Sequence, residues 1–358
     1  MEVDLSPHIN CFIGANGAGK TNVLDAVHYM SMCKSYMNPV DSQNISFEER
    51  FFMIQGEWSR AGKTEQIHCA VKKGTKKVFK KNKVAYDKLA EHIGLFPAVM
   101  ISPYDRNLIL EGSEVRRKWM DGIIAQFDKQ FLHDIIRYGK VLQQRNALLK
   151  NMAGYGFFDQ ESIAVWDEQL VDHGQRIYEG RKAFIEAFIP IFQKYYQWLS
   201  NQNEVVDLVY HSQLHEEALE TLLNRSRRKD EQKQYTTTGT HKDDLIFRIK
   251  GQPIKKFGSQ GQQKSYLIAL RLAQYDWLKS QLHFRPVLLL DDIFDKLDHY
   301  RVERLMQMVD QQDFGQVMIT DTDRDRIARI FETNEISYKA FEVKNDEIAE
   351  LEINTQEK

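Results

Sequence analysis

The sequence predicts an α/β fold whose two halves are separated by an inserted, mainly helical second lobe. Two short apolar runs, at residues 9–13 and 286–290, have the character of strands buried on both faces of a parallel sheet. Between them, over residues 113–233, apolar side chains recur at helical spacing. We therefore predict an N-terminal half over residues 1–105, a helical lobe over 106–235 and a C-terminal half over 236–358.

The first apolar run leads into a glycine-rich loop. Its sequence fits the phosphate-loop pattern G-x-x-x-x-G-K-[ST] at every fixed position, and a predicted helix follows it. A strand, such a loop and a helix N-terminus together form a cradle for a polyphosphate. We expect Lys20 to reach the β- and γ-phosphates as a catalytic residue, and Thr21 to bind Mg²⁺. The predicted nucleotide-binding residues are Gly14, Ala15, Asn16, Gly17, Ala18, Gly19, Lys20, Thr21 and Asn22.

The rest of the N-terminal half is predicted to be β-structure, with strands at residues 51–58, 66–71 and 98–102. Residues 72–83 hold seven lysines in twelve positions, and a turn at Gly74 favours a hairpin with an exposed basic face. Such a hairpin either contacts DNA or is an edge strand that lysine protects against aggregation. The sequence leaves both readings open.

The inserted lobe shows one apolar helical face. Its members are Trp119, Ile123, Phe127, Phe131, Ile135 and Tyr138. Glycines interrupt the segment, and no heptad pattern is sustained along it. We therefore expect a compact lobe instead of a long coiled coil.

The C-terminal half contains the second apolar run, which ends in Asp291 and Asp292. Carboxylates at the carboxyl end of a buried parallel strand lie where open α/β sheets place their ligands. We expect Asp291 to bind Mg²⁺ and Asp292 to orient or deprotonate an attacking water, as the second catalytic residue. Further strands are predicted at residues 245–249, 316–320 and 338–343.

A third motif lies between the phosphate loop and the aspartate pair in the sequence. Ser259-Gln260-Gly261-Gln262 opens a predicted helix, as does the signature motif of ABC-type ATPases. In that arrangement Ser259, Gly261 and Gln262 would contact the γ-phosphate of a nucleotide held by another subunit. Ser259 is equally suited to be a plain helix N-cap. Residues 296–298, Lys-Leu-Asp, resemble the ABC D-loop, so the order of motifs predicts a P-loop ABC-type ATPase head that resembles SMC heads.

Composition limits which partners, location and cysteine chemistry this chain can have. The formal net charge of −2 gives no support for nucleic-acid binding by bulk charge, so a DNA contact requires a local basic patch. No apolar run is long enough to span a bilayer, and no signal peptide is evident, so we expect a cytoplasmic protein without a membrane partner. The three cysteines share no metal-ligand spacing and are expected to be reduced.

Beyond the generic ATPase motifs, the chain resembles the RecF family of bacterial recombination and replication-repair proteins. The segments that carry this resemblance are 102–105 with Arg116, Arg117 and Asp121, then 238–245, 259–264 and 319–323. The sequence also departs from the family pattern. Thr240 and Lys242 replace a proline and an arginine, and only residues 1–8 precede the phosphate-loop strand, where the family has two further strands. We expect this short start to reflect a truncation or to weaken nucleotide binding.

The resemblance implies ATP and Mg²⁺ as cofactors and a weak, DNA-stimulated ATPase. It also implies an ATP-dependent homodimer that clamps double-stranded DNA near single-strand gaps, at junctions of single- and double-stranded DNA. RecR, together with RecO, would be its protein partners in loading recombinase. Two other readings stay open: a nuclease-coupled ABC ATPase, and an interaction scaffold that has lost hydrolysis.

Overall fold

The computed structural model describes residues 2–155, 159–200, 204–294, 299–310, 314–333, 336–344 and 347–352. The strands are β1 (Ile9–Ile13), β2 (Phe51–Arg60), β3 (Lys63–Lys72), β4 (Val78–Lys81), β5 (Val84–Ala85), β6 (Ala98–Ile101), β7 (Val206–His211), β8 (Asp244–Ile249), β9 (Gln252–Pro253), β10 (Val287–Asp291), β11 (Val317–Asp321), β12 (Lys339–Lys344) and β13 (Glu347–Leu351). The helices are α1 (Lys20–Met32), α2 (Arg106–Leu110), α3 (Ser113–Phe127), α4 (Lys129–Tyr155), α5 (Gln160–Leu199), α6 (Leu219–Lys233), α7 (Ile254–Phe257), α8 (Gln260–Leu282), α9 (His299–Asp310) and α10 (Arg324–Thr333). No helix in the described ranges is both long and apolar enough to cross a membrane.

A six-stranded sheet brings the two halves of the chain together, in the order β13-β12-β1-β11-β10-β6. The strand β1 pairs in parallel with β11 and β12, and β10 pairs in parallel with β11 and β6. Every residue of β1, β10 and β11 is buried, which explains why these strands are mostly apolar. The predicted α/β fold is thereby confirmed.

A four-stranded antiparallel sheet, β2-β3-β4-β5, forms the second layer on helix α1. Its inner face carries Ile67, Cys69 and Phe79, which are fully buried in one core with Leu24 of α1. The predicted hairpin exists: β3 and β4 pair between residues 67–70 and 78–81, and the turn that joins them contains Gly74 at φ +76°. Glycine suits this position because positive φ strains other residues.

The chain forms two compact units. The first comprises Met1–Asp105, Trp198–Asn201 and Lys264–Lys358, and the second comprises Arg106–Gln197 and Gln202–Gln263. The second unit therefore extends past residue 235, where the helical lobe was predicted to end. It does so because β8 pairs antiparallel with β7 along its whole length, which ties residues 244–249 to the lobe.

Inside the second unit, helices α3 to α6 pack beside the small sheet β7-β8-β9. The predicted apolar face is largely buried, including Trp119, Ile123 and Phe131. A fully buried guanidinium holds the helices together: Arg145 donates to Asp167 at 2.6 Å and to Asp230 at 2.7 Å. Two carboxylates around one buried cation satisfy charges that would otherwise be strongly destabilising.

Candidate nucleotide-binding site

The phosphate-loop segment runs from the end of β1 into the first turn of α1, as predicted. The backbone N–H of Gly14 donates to the carbonyl oxygen of Asp321 at 3.3 Å, which anchors the loop at the end of β11. A Cβ on Gly14 would lie 2.3 Å from the carbonyl oxygen of Val343, so the approach of these two backbones requires glycine. Gly17 and Gly19 have φ of +82° and +95°, which is the left-handed region that favours glycine.

The Lys20 ammonium group is folded into the loop. Its Nζ donates to the carbonyl oxygens of Gly14 at 2.8 Å and Ala15 at 2.9 Å, and the residue is 7% exposed. Burial lowers the pKa of Lys20, and the carboxylates of Asp292 and Asp291 oppose that shift. A cation with nearby carboxylates thus sits at the N-terminus of α1, where an anion would be stabilised.

The Asp291 carboxylate is held by three hydroxyl groups. Thr21 Oγ1 donates to Oδ1 at 2.8 Å, and Thr320 Oγ1 donates to the same oxygen at 2.9 Å. Ser102 Oγ donates to Oδ2 at 3.0 Å. These donors come from the start of α1, the last part of β11 and the residue after β6. The carboxyl ends of β6, β10 and β11, which are neighbours in the sheet, therefore meet the start of α1 at this carboxylate.

Asp292 follows β10 in an unusual backbone conformation. Its φ is +48°, a region that non-glycine residues rarely occupy, and its backbone N–H donates to Thr320 Oγ1 at 2.9 Å. The residue is half-buried, whereas Asp291 beside it is buried. Backbone strain of this kind is concentrated at functional positions, where the surrounding structure holds it in place.

The oxygen atoms of Thr21 and Asp291 suit Mg²⁺. This ion usually takes one or two protein ligands and completes its shell with water and substrate phosphates. The described part of the chain contains no group of three or more His, Cys, Asp or Glu that could hold a metal by itself. A hydroxyl and a carboxylate next to a phosphate cradle are a donor set that suits a phosphate-bound Mg²⁺.

Behind this carboxylate lies an ion-pair network that the motifs did not predict. Asp105 accepts from the Ser102 backbone N–H at 3.0 Å and from Arg271 Nη2 at 2.5 Å. The Tyr36 hydroxyl donates to the same Asp105 carboxylate and accepts from Arg271 at 2.6 Å. The network joins the segment after β6 to helix α8 and to the loop after α1. The available sequence signal was a lone arginine within the apolar stretch of α8.

The signature-like residues lie at the start of α8. The Gln262 N–H donates to Ser259 Oγ at 3.2 Å, and the Ser259 N–H donates to Gln262 Oε1 at 2.7 Å. This reciprocal pair is a capping box, so the N-cap reading of Ser259 is confirmed. Gln262 also donates to Glu204 at 2.6 Å, while Ser259 and Gly261 are exposed. All of these residues belong to the second unit, whereas the phosphate loop belongs to the first; the D-loop-like residues 296–298 lie outside the described residues.

The two arginines of the family-like segment have internal partners. Arg116 pairs with Asp244 through two hydrogen bonds of 2.8 and 3.0 Å, and Arg117 donates to the Asp243 carbonyl oxygen at 2.5 Å. Arg181 adds bonds to Asp121 at 2.8 Å and to Asp243 at 2.9 Å. These contacts join α3 and α5 to the start of β8, so the segment stabilises the second unit.

The fold and the site define a protein with an ABC/SMC-type ATPase fold, and the family model described as RecF/RecN/SMC N terminal domain matches residues 1–346. A protein of Flavobacterium johnsoniae named DNA replication and repair protein RecF is 52% identical over 338 residues, which is 94% of each chain. A protein of the same name from Phocaeicola vulgatus is 48% identical and covers 98% of this chain and 94% of its own length. The chain belongs to the RecF family, as its motifs predicted.

A solved structure described as the recombination mediator protein RecF with ATP in the RecFOR pathway is similar to this chain. It superposes with a TM-score of 0.88 at 27% sequence identity, over 98% of this chain and 93% of its own. The similarity therefore extends through both compact units and includes the stretches that carry the phosphate loop and the signature-like residues.

Proposed function

We propose that this chain is an ATP-dependent DNA-binding protein of replication and recombinational repair. One observation carries the proposal: Thr21 Oγ1 donates to Asp291 at 2.8 Å, which joins the phosphate-loop motif to the aspartate pair across 270 positions of sequence. This is the arrangement that ATP hydrolysis requires at a phosphate-loop site. The relatives named DNA replication and repair protein RecF, and the solved RecF structure with ATP, support ATP as the nucleotide.

Each residue of the site has a proposed role. The loop from Gly14 to Gly19 surrounds the phosphates, and Lys20 leaves the two loop carbonyls to neutralise the β- and γ-phosphates. Thr21 and Asp291 would hold Mg²⁺, which supplies positive charge to the phosphate oxygens. Asp292, strained and only half-buried, would orient the attacking water.

The proposed active form is an ATP-dependent homodimer. Ser259 and Gly261 are exposed at the N-terminus of α8, where helix-end N–H groups favour an anion. In a second copy they would contact the γ-phosphate held at Lys20. ATP would then favour the dimer by its greater affinity for that state, and slow hydrolysis would release it.

The proposed partners follow from the family. The dimer would bind double-stranded DNA next to single-strand gaps and act with RecR and RecO, because the similar solved structure is described within the RecFOR pathway. DNA would weakly stimulate hydrolysis by stabilising the closed dimer. The net charge of −2 does not favour DNA binding, so a local basic surface would have to supply the contacts with the DNA phosphates.

The test is Lys20→Met, with Lys118→Met as the matched control because Lys118 is an exposed lysine that pairs with Glu114 on its own helix. We expect Lys20→Met to abolish the increase in affinity for gapped duplex DNA that ATP and Mg²⁺ produce, measured by fluorescence anisotropy. The control should retain it. Unchanged ATP-dependent binding in Lys20→Met would refute the proposal.

A second experiment addresses hydrolysis. Asp292→Asn should retain ATP and accumulate as a dimer in light scattering, because the group that orients the water has lost its charge. A mutant that stays monomeric at saturating ATP would contradict the role of Asp292. If the unmodified protein bound its partners with no measurable ATPase, the scaffold reading would replace the ATPase.

A further inference from the structure

The solvent-facing side of the four-stranded sheet carries an uncovered apolar row. Met53 on β2 pairs with Ala70 on β3, and Ala70 pairs with Val78 on β4, so the three side chains lie on one face across three strands. Phe51 lies two residues from Met53 and therefore on the same face. Phe51, Met53 and Val78 are 55%, 59% and 41% exposed. Single exposed apolar residues are ordinary, but a contiguous row indicates a contact surface.

Lysines border this row on the same face and at the adjoining turn. Lys72 pairs with Phe51 in the sheet register, and Lys80 lies two residues beyond Val78 on β4. Lys76, in the turn between β3 and β4, is exposed. We refer to Phe51, Met53, Val78, Lys72, Lys76 and Lys80 as the sheet platform.

Two other lysines of the run are paired with carboxylates. Lys77 pairs with Asp41 at 2.9 Å, and Lys81 pairs with Glu65 at 2.9 Å on the inner side of the sheet. These two lysines therefore serve the fold. The lysine-rich run thus contains two positions that are paired with carboxylates, Lys77 and Lys81, and three that border the apolar row, Lys72, Lys76 and Lys80.

The acidic groups near the platform lie at its ends. Glu57, on the same face near the far end of β2, is bonded to Gln66 at 2.9 Å. Glu48 and Glu49 lie in the turn that precedes β2, which also presents the fully exposed Phe47. Phe51 lies next to that turn, whereas Val78 and Met53, whose Sδ is 3.0 Å from His68 Nε2, lie between the two ends.

A ligand for this surface must be anionic and must also present flat apolar faces. Single-stranded DNA has both properties, because its phosphates attract lysine and its unstacked bases can lie on aromatic and aliphatic side chains. Duplex DNA hides the faces of its bases, so it would leave Phe51 and Met53 without a contact. An acidic peptide would satisfy the lysines without using the aromatic ring, and an anionic membrane, which would use both, is tested separately below.

We propose that the sheet platform binds single-stranded DNA, with a base stacked on Phe51 beside Met53 and the phosphates near Lys72, Lys76 and Lys80. The inference rests on the proposed function, since a protein that clamps duplex DNA beside a gap also meets the single strand of that gap. It adds a location to that function: the single strand leaves the duplex across this face of the sheet.

The test compares Phe51→Ala with Phe47→Ala, a nearby exposed phenylalanine that two glutamates follow in the sequence. Anisotropy with labelled oligo-dT should show affinity weakened about tenfold in Phe51→Ala, since stacking one base on an aromatic ring changes binding by that order. Phe47→Ala should bind as the unmodified protein does, and affinity for blunt duplex should be the same in all three. Equal losses for single strand and duplex, or no loss, would overturn the proposal.

Two further measurements address stacking and charge. Phe51→Trp should retain affinity and show quenched tryptophan fluorescence with oligo-dT but not with duplex, which a purely structural role would not produce. The double variant Lys72→Ala/Lys76→Ala should reduce the slope of log affinity against log salt by about 0.7 per lysine for the single strand. An unquenched Phe51→Trp or an unchanged salt slope would count against the platform.

These binding experiments also distinguish a failure of this inference from a failure of the proposed function on which it rests. If the unmodified protein binds gapped duplex in an ATP-dependent way while Phe51→Ala binds oligo-dT normally, only the platform fails. If the unmodified protein binds no DNA, the proposed function fails as well. Binding of phosphatidylserine vesicles or of a polyglutamate peptide that depends on Phe51, with unaltered oligo-dT binding, would assign the platform to another ligand and overturn the proposal.

Discussion

The buried ion pair of Asp105 and Arg271 leads to a quantitative prediction for the first unit. Arg271 donates to Asp105 Oδ1 from Nε at 3.0 Å and from Nη2 at 2.5 Å, and both side chains are almost fully buried. The substitution Arg271→Met keeps aliphatic bulk but leaves the carboxylate without its cation. Hydrogen bonds to charged groups contribute about 1.5–3 kcal/mol each, so two lost bonds amount to about 3–6 kcal/mol.

Part of that loss is offset. The guanidinium no longer has to be dehydrated, and Asp105 keeps the backbone N–H of Ser102 and the hydroxyl of Tyr36. We therefore expect the free energy of unfolding to fall by about 3 kcal/mol, at the lower end of what breaking a buried ion pair removes. Urea unfolding followed by circular dichroism would show this as a lower midpoint at an unchanged slope.

The matched control is Lys81→Met, which breaks a single, partly exposed ion pair of 2.9 Å with Glu65 in the same unit. That change should lower stability by no more than about 1 kcal/mol. A loss of the same small size in Arg271→Met would refute the reasoning. The double variant Arg271→Met/Asp105→Asn should lose less stability than the two single variants lose in sum. The difference should be about 1–2 kcal/mol, because both changes remove the same contact.

Two further predictions concern the phosphate loop and the response to acid. Gly14→Ala would place a Cβ 2.3 Å from the carbonyl oxygen of Val343, so the loop or β12 must shift; we expect a loss of about 1–3 kcal/mol and weaker ATP binding, whereas Gly122→Ala, with open space around it, should keep both. Burial, assisted by the charge of Lys34, lowers the pKa of His28 to about 3. Between about pH 6.5 and 3, His28 therefore binds a proton in the unfolded chain but not in the folded chain. Stability should therefore fall between about pH 6.5 and 3, by about 1.4 kcal/mol per pH unit, and His28→Gln should remove that share of the slope in urea unfolding; an unchanged slope would contradict the assignment.

The parts of the fold that could be predicted are those that depend only on residues adjacent in the sequence. The phosphate loop and the strand β10 each need only a few neighbouring residues, because a glycine-rich turn and a doubly buried strand impose strict local composition. The meeting of Thr21 with Asp291 followed from the same local motifs, since the carboxyl ends of parallel strands lie at one edge of a sheet.

What could not be predicted depends on partners that are distant in sequence. The sequence predicts an end of the helical lobe at residue 235, since the pairing of β7 with β8, which ties residues 244–249 to the second unit, leaves no local pattern in the sequence. The same applies to Asp105 and Arg271, which are 166 positions apart. Within the lysine run, only the structure separates Lys77, which is neutralised by Asp41, from its exposed neighbours.

The two readings of Ser259 turn out to be compatible. Its hydroxyl oxygen accepts from the Gln262 N–H at 3.2 Å and so caps α8, while a serine hydroxyl keeps its own hydrogen to donate. Ser259→Ala would remove both properties and lower stability by about 1 kcal/mol, so it cannot separate the cap from a phosphate contact. Ser259→Asp can.

Aspartate caps a helix at least as well as serine, but its carboxylate donates no hydrogen bond and repels a phosphate. We therefore expect Ser259→Asp to unfold at the same urea concentration as the unmodified protein, yet to remain monomeric with ATP and Mg²⁺ in light scattering. Ser259→Thr, which caps and donates, should still dimerise. A Ser259→Asp variant that dimerised normally would show that the hydroxyl serves the helix alone, and the γ-phosphate contact would have to come from other groups at the start of α8.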